Sequence, residues 1–204
     1  MLMNKGKWNN PRVMLSHAWG EGLEELWSAV TGFMDKKQIP FSTPIWFCLF
    51  ALYQPEDTPR TTIKDQLQLR PFQKVIECPK VGTAKCPAVP DHTGQGESYS
   101  RLWCVFELST AIKKRLKVSV AMSEAYLVNM STGYDMLKCS SLDTEAQEKR
   151  AGLLVESAKA TCSSKDDQEY LRQKVIEDGG FEELDVRVSD FRRKAFSKFV
   201  LSEP

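Results

Sequence analysis

The chain has 204 residues, 42% of them hydrophobic and 27% charged, which is the composition of a folded protein of one large domain or two small ones. Its 28 basic and 27 acidic residues leave a formal net charge of +1, which argues against nucleic-acid binding by bulk charge and against intrinsic disorder. The six cysteines form no CxxC pair and the two histidines lie far apart in sequence, so we expect no zinc site of the usual spacing.

The beginning of the chain and its apolar runs favour a cytoplasmic protein. The opening MLMNKGKWNN carries charges, but no apolar segment follows it, unlike a secretory signal. The longest apolar run, residues 45–53, has nine residues, about half of what a membrane helix needs. We therefore expect a cytoplasmic location, no membrane partner, and reduced thiols.

Short apolar runs alternate with helical stretches at the start of the chain. Residues 12–16 (RVMLS) predict a strand, and the next apolar residues, at spacings of three and four, predict a helix over 22–35. Its apolar stripe is Leu23, Leu26, Trp27, Val30, Phe33 and Met34. The run 45–53 (IWFCLFALY) is apolar on both faces, which predicts a strand in the middle of a parallel sheet.

The next segment is harder to interpret because five prolines interrupt residues 54–90. We expect a helix around 62–69 and a weak strand at 74–78. Residues 91–98 (DHTGQGES) predict a loop. The GxG in it is too short for a dinucleotide fingerprint, and nothing strand-like directly precedes it.

Regular structure returns in the second half of the chain. Residues 99–116 predict a helix and 117–122 a strand, followed by helices over 145–160 and 164–178. A last helix follows the Gly179-Gly180 stop. Its apolar face is Phe181, Leu184, Val188, Phe191, Ala195 and Phe199, which predicts packing against the domain rather than against a partner.

The alternation of strands and helices is typical of an α/β protein, with a parallel sheet and helices on both faces. Ligands of such sheets bind at the carboxyl ends of the strands. Three stretches are therefore candidate binding loops: residues 16–21, residues 53–60 and the segment that enters the helix at residue 99.

The helix predicted over 99–116 carries an unusual pair of side chains. Its core stripe is Val105, Leu108, Ile112 and Leu116, which we expect to face the sheet. Trp103 and Glu107, four residues apart, lie together on the opposite side, with Ser100, Thr110 and Lys114 near them. A tryptophan there needs a second layer, a partner or a ligand to pack against. Glu107 has no Lys or Arg three or four residues away, yet a surface glutamate remains the default interpretation.

The segment YSRLWCVFEL resembles the Ser-x-x-Trp-Cys-x-x-Glu-Leu stretch of Toll/interleukin-receptor (TIR) domains, best known from plant immune receptors. The matching residues are Ser100, Trp103, Cys104, Glu107 and Leu108. RVMLSHAWGEGLEELWSAV resembles the opening strand, loop and helix of that family, and TPIWFCLFALYQPED stands in the place of its second strand. The SHAWG opening and the WxCxFAxxQ pattern are also similar to divergent TIR-like proteins of unicellular algae and other protists.

The resemblance implies a fold and two functions. The fold is a flavodoxin-like parallel sheet of about five strands over residues 10–125, with residues 126–204 as a helical extension packed on the same domain. Some TIR domains hydrolyse NAD to nicotinamide and ADP-ribose-type products in signalling, so NAD would be a substrate and no cofactor or metal is implied. Others are non-catalytic modules that associate with themselves or with other TIR-like domains.

In the enzymes of this family the glutamate at the position of Glu107 is catalytic. Cleavage between ribose and nicotinamide builds positive charge on the sugar, which a carboxylate stabilises, and the leaving group needs no proton. The candidate binding residues are Ser16, His17, Trp19, Ser100 and Trp103. Either tryptophan can stack on an aromatic ring, and the loop from Ser16 leads into a helix N-terminus that suits a phosphate.

Other interpretations remain open at this point. His17 is either a ligand contact or a satisfied loop histidine. Cys104 and His17 are the components of a thiol enzyme, although a cysteine within Trp-Cys-Val-Phe is expected to be buried. A non-catalytic module would use Trp103, Glu107 and the 53–60 loop as a self-association surface, and a nucleotide sensor would bind without cleavage.

Overall fold

The computed structural model describes residues 11–17, 22–47, 63–78, 85–88, 98–128 and 153–200. Strands and helices alternate through the first half, and helices follow. In chain order the elements are β1 (Val13–Leu15), α1 (Leu23–Lys36), β2 (Ile45–Phe47), α2 (Ile63–Gln68), α3 (Pro71–Glu77), β3 (Lys85–Ala88), α4 (Leu102–Lys113), β4 (Lys117–Val120), α5 (Lys165–Glu177) and α6 (Gly180–Val200). Short 3-10 turns lie at Ser98–Ser100 and Ser157–Lys159, and residues 124–128 are helical.

The strands form two parallel pairs. β1 pairs with β2 in the register Met14↔Trp46, and β3 pairs with β4 in the register Cys86↔Val118. β1 also lies beside β3, which gives the spatial order β2-β1-β3-β4. The α/β class predicted from the sequence is confirmed, but the described residues form two strand pairs rather than a five-stranded sheet.

Helix α1 covers one face of β1 with an apolar stripe narrower than the sequence predicts. Its buried residues are Leu26, Ala29, Val30, Phe33 and Met34, which pack with Leu15. Leu23 and Trp27 were expected in the same stripe but are 73% and 67% exposed. They lie four residues apart on the solvent side of the first turns, so the helix keeps an exposed apolar pair.

The strand predicted at 74–78 is wrong, because Pro71–Glu77 form helix α3. Pro71 occupies the first turn, where its fixed φ favours a helix and its missing N–H is not needed. The Gln73 side chain donates to the Glu77 carboxylate at 3.0 Å, and residues four apart are neighbours on a helix surface. Proline thus initiates structure here, where the sequence interpretation counted it as an interruption.

Strand β3 was missed for the same reason. It contains Pro87 and lies in the proline-interrupted segment, yet it pairs with β4 along Lys85–Ala88. Proline lacks the N–H that a central strand uses, so its presence counts against a strand in a sequence interpretation. The register with β4 shows that the segment is extended nonetheless.

The C-terminal helices largely follow the sequence. α5 begins after Ser164, whose hydroxyl accepts from the Asp167 N–H, and it ends before Gly179 and Gly180, both at positive φ. The helix predicted over 145–160 is wrong for residues 153–160, and residues 145–152 lie outside the described chain. There the N–H groups of Val155 and Ser157 donate to side chains of α6 instead of to helical carbonyls.

The largest apolar cluster joins α4 to the C-terminal helices. Its buried residues are Tyr99, Leu102, Val105, Leu108, Val155, Ala160, Leu171, Val175, Leu184 and Val188. Phe181 and Phe191 pack against it, which confirms that the stripe of α6 faces the domain. At the rim, Lys113 pairs with Asp178, and Arg187 donates to Ser109 at 2.5 Å. The C-terminal helices therefore form one wall of the core around α4.

Leu171→Ala should lower the free energy of unfolding by about 2–5 kcal/mol, because Leu171 is fully buried in the cluster shared with α4. Ile176→Ala on the same helix is the control: Ile176 is 60% exposed, so the expected loss is about 0.5 kcal/mol or less. Urea denaturation monitored by tryptophan fluorescence measures both. A separate transition for the C-terminal helices, with the main one unchanged in Leu171→Ala, would contradict this packing.

Candidate active site

The alternation of side chains along β1 decides where the site forms. Met14 faces α3 and α4, where it packs with Ile76 and Ala111, whereas Leu15 faces α1. Successive side chains of a strand point to opposite faces, so the next residue, Ser16, returns to the α4 side. The carboxyl end of β1 therefore presents a hydroxyl group to helix α4.

Helix α4 meets β1 with a second stripe of side chains, distinct from its apolar stripe. Ala111 packs with Met14, Glu107 bonds to Ser16, and Cys104 bonds to the backbone of His17. Two residues along a strand span about 6.6 Å, and one helical turn spans about 5.4 Å. Because these distances are similar, successive contacts along β1 meet successive turns of α4. The interpretation of Glu107 as a surface residue is wrong, because α4 is buried on this face too.

The Ser16–Glu107 pair is the chemical centre of the site. The Ser16 hydroxyl donates to Oε2 of Glu107 at 2.6 Å, and the two residues are 2% and 4% exposed. Burial raises the pKa of the Glu107 carboxyl from 4.5 to about 8, and the hydrogen bond from Ser16 partly opposes this rise. The group is thus a carboxyl that changes protonation near neutral pH, which is typical of catalytic acids and bases.

His17 and Cys104 lie beside this pair with mostly structural contacts. The His17 ring packs at 4.3 Å and a 42° tilt on Phe47 of β2, and the residue is buried. The Cys104 thiol donates to the backbone carbonyl oxygen of His17 at 3.1 Å. A thiol enzyme instead needs its cysteine against an imidazole nitrogen. The arrangement favours the satisfied histidine and the buried cysteine among the alternatives.

Trp103 has an environment of its own, although the sequence places it on the same face as Glu107. Its ring stacks on Phe72 of α3 at 4.9 Å, and its indole N–H points to Asp167 of α5 at 3.5 Å. It therefore packs between two helices, which explains a tryptophan away from the core stripe. Ser100 is exposed in the turn before α4, and its carbonyl oxygen accepts from the Thr161 N–H at 3.0 Å.

Among the candidate residues, the structure brings together Ser16 and Glu107, with His17 adjacent, and gives Trp103 and Ser100 other contacts. Trp19 lies outside the described residues, as do residues 53–60.

In the part of the chain that the structure describes, no group of three or more His, Cys, Asp or Glu is arranged to hold a metal ion. No described helix is both long and apolar enough to cross a membrane.

A second serine–glutamate pair was not singled out by the sequence. The Ser123 hydroxyl donates to the Glu25 carboxylate at 2.6 Å and accepts from the Tyr126 N–H, which caps the helical residues 124–128. Glu25 precedes Leu26 and Ser123 follows Ala121 by two residues, and both of these neighbours belong to the apolar cluster that contains Leu15. A serine just after a strand is the signal that could have indicated the cap.

Comparison with protein-family models, with curated proteins and with solved structures found no match for this chain. The resemblance to TIR domains therefore depends on the quoted residues alone.

Chemically, the site offers one buried carboxyl group that acts as a hydrogen-bond acceptor or a negative charge when ionised and as a donor when protonated.

Glu107→Gln should change the pH dependence of stability. The folded pKa of about 8 lies above the ordinary value of 4.5, so between these pH values the folded protein binds one more proton than the unfolded chain. Between pH 4.5 and about pH 8, Glu107 therefore lowers the free energy of unfolding as pH rises, by up to about 1.4 kcal/mol per pH unit. Above about pH 8 it causes no further loss.

Urea denaturation across this pH range tests the prediction. The stability of Glu107→Gln relative to wild type should increase between pH 4.5 and about pH 8 and then level off. Glu77→Gln is the control, because Glu77 is an exposed carboxylate whose pKa is lowered, not raised, by hydrogen bonds from Gln73 and Lys114. Parallel curves for wild type and Glu107→Gln would show that the buried carboxyl has an ordinary pKa.

Proposed function

We propose that this chain is a TIR-like domain that hydrolyses NAD to nicotinamide and ADP-ribose-type products, with Glu107 as the catalytic carboxyl group. The observation that carries the proposal is the burial of Glu107 against Ser16 at the carboxyl end of β1. A glutamate without a function at this position would be expected on the helix surface.

The order of the strands supports the proposal. β2-β1-β3-β4 agrees with the order of a flavodoxin-like sheet, the fold we propose for the α/β part of the chain. In such sheets the ligand crevice lies where the order reverses, between β1 and β3 and outside the carboxyl ends of the strands. Ser16 follows β1 directly, so the Ser16–Glu107 pair lies next to this point.

The chemistry needs one carboxylate. As the bond between ribose C1 and the nicotinamide ring nitrogen breaks, its electron pair leaves with the ring, which becomes neutral nicotinamide. The sugar becomes positively charged, and the ionised carboxylate of Glu107 stabilises that charge in a buried environment where water screens it little. Water then adds to the sugar carbon and loses a proton, which gives ADP-ribose.

The raised pKa of Glu107 suits a cationic substrate. In the free protein at neutral pH the carboxyl group is mostly protonated, because burial disfavours the charge. A positively charged nicotinamide ring beside it favours the carboxylate and lowers its pKa. Binding of NAD would therefore release a proton and create the charge that the reaction uses. Neutral dihydronicotinamide in NADH would not do so.

The alternative is a non-catalytic TIR-like module for self-assembly, and one observation favours it. Leu23 and Trp27 form an exposed apolar pair on α1. The surface first considered for this role is less suitable, since Glu107 is buried and Trp103 packs on Phe72. A second copy of the chain that buries Trp27 is the interaction we would then expect, because aromatic side chains dominate such interfaces.

Purified protein incubated with NAD should release nicotinamide, and Glu107→Gln should lower the rate by about 100-fold or more. In wild type, kcat/KM should rise about tenfold per pH unit and level off above about pH 8, where Glu107 is ionised in the free enzyme. Glu77→Gln should retain the wild-type rate. Nicotinamide release that persists in Glu107→Gln would refute the assignment of the carboxyl group.

Self-assembly through α1 predicts a molar mass that rises with protein concentration in light scattering. Trp27→Ser should abolish the rise, because it removes the largest exposed apolar side chain of α1. Ile176→Ser is the matched control, an exposed apolar residue on α5. Identical association in wild type and Trp27→Ser would exclude α1 as the contact surface.

A further inference from the structure

We propose that Ser16 is a positioning residue for Glu107, with a hydroxyl group that holds the carboxyl group in place through one buried hydrogen bond instead of contacting the ligand. This inference deepens the proposed function, on which its catalytic consequence rests. Its structural part concerns the two side chains alone and is independent of any substrate.

The hydrogen-bond inventory of Ser16 supports this role. A serine hydroxyl carries one hydrogen, so it donates one hydrogen bond at a time. Ser16 donates it to Oε2 of Glu107 at 2.6 Å, in a place where it is 2% exposed. A phosphate or ribose oxygen that accepted from Ser16 would have to take this hydrogen away from the buried carboxyl group of Glu107. The resemblance assigned Ser16 to the ligand, whereas the geometry assigns it to Glu107.

Both ends of the bond are fixed by neighbouring packing. Ser16 directly follows β1, whose three residues are all buried between β2 and β3. Glu107 lies one turn before Ala111, which packs on Met14. The packing of β1 and α4 thus brings the hydroxyl and the carboxyl group together at the end of β1.

The hydrogen bond also affects how readily Glu107 ionises. Burial raises the pKa of the carboxyl group, and the hydrogen bond from Ser16 lowers it, because the donor stabilises the charged form. His17, next in the chain, is the nearest other titratable residue of β1 and its end. Without the hydroxyl group, the carboxyl group should lose the hydrogen bond that holds it in place and should remain protonated to a higher pH.

Charged groups on the other elements that pack near α4 have contacts of their own. These contacts are Glu77 of α3 with Lys114, Asp167 of α5 with Trp103, Arg187 of α6 with Ser109, Arg192 of α6 with Tyr99, and Glu25 of α1 with Ser123. Lys117, at the start of β4, is exposed. Among the described residues, Ser16 is thus the polar partner that lowers the pKa of the Glu107 carboxyl group.

The deciding experiment is an NMR titration of the glutamate side-chain carboxyl carbons in the substrate-free protein, with Glu107 assigned by Glu107→Gln. Ser16→Ala should raise the pKa of Glu107 by about one to two units, the effect of losing a hydrogen bond to a charged group. Ser16→Thr, which keeps a hydroxyl group, should restore most of the wild-type value. Ser123→Ala is the matched control, since it removes the other serine–glutamate bond and should leave Glu107 unchanged.

An unchanged Glu107 pKa in folded Ser16→Ala overturns the proposal. The NAD assay gives a second readout. In Ser16→Ala the pH profile of kcat/KM should move to higher pH by the same amount as the pKa of Glu107. A ligand contact would instead raise KM at every pH without moving the titration in the free protein. Absence of NAD cleavage in wild type would end the proposed function, whereas the titration would still decide the role of Ser16.

Discussion

The burial of helix α4 on two faces is the constraint on which the rest of the structure depends. One stripe of α4 packs against the C-terminal helices, and a second stripe, formed by Cys104, Glu107 and Ala111, meets β1. A helix with one buried face can place an ionisable residue in water at no cost. α4 has little such surface left, so Glu107 must be buried with a partner, and the end of β1 supplies one.

Within the described part of the chain, the buried carboxyl group of Glu107 has one hydroxyl partner, an arrangement that does not serve stability. Its ionised form is disfavoured by burial, and an apolar side chain of similar size at position 107 would pack without that cost. Groups of this kind concentrate at functional sites, where a perturbed pKa is part of the chemistry. The position supports the same interpretation, because the carboxyl ends of parallel strands are where ligands of α/β sheets bind. Physical cost and location thus agree in favouring a functional role for Glu107.

Much of the fold could be predicted because periodicity reflects burial directly. The strand at β1 and the helices α1, α2, α4 and α6 follow from apolar spacing, and α5 follows from its serine start and glycine stop. The apolar stripe of α4 was also predicted, but Val105 and Leu108 pack with the C-terminal helices where the sheet was expected. The errors arise where one residue type has two roles. Pro71 begins a helix and Pro87 lies in a strand, although both were counted as breaks. Glu107 was misplaced because the helical wheel assumed one buried face. The small residues Cys104 and Ala111 on either side of it marked a second buried face that sequence reasoning overlooked.

The shared core also has a consequence for how the chain can be divided. The resemblance covers about residues 10–125 and invites expression of that part alone. Such a fragment would lack Leu171, Val175, Leu184 and Val188, and the surfaces of Leu102, Val105 and Leu108 would face water. A contiguous apolar patch of that kind promotes aggregation. The helix that carries the candidate carboxyl group would then lose one of its two walls. The smallest unit of this chain that keeps that apolar surface covered therefore extends into the C-terminal helices.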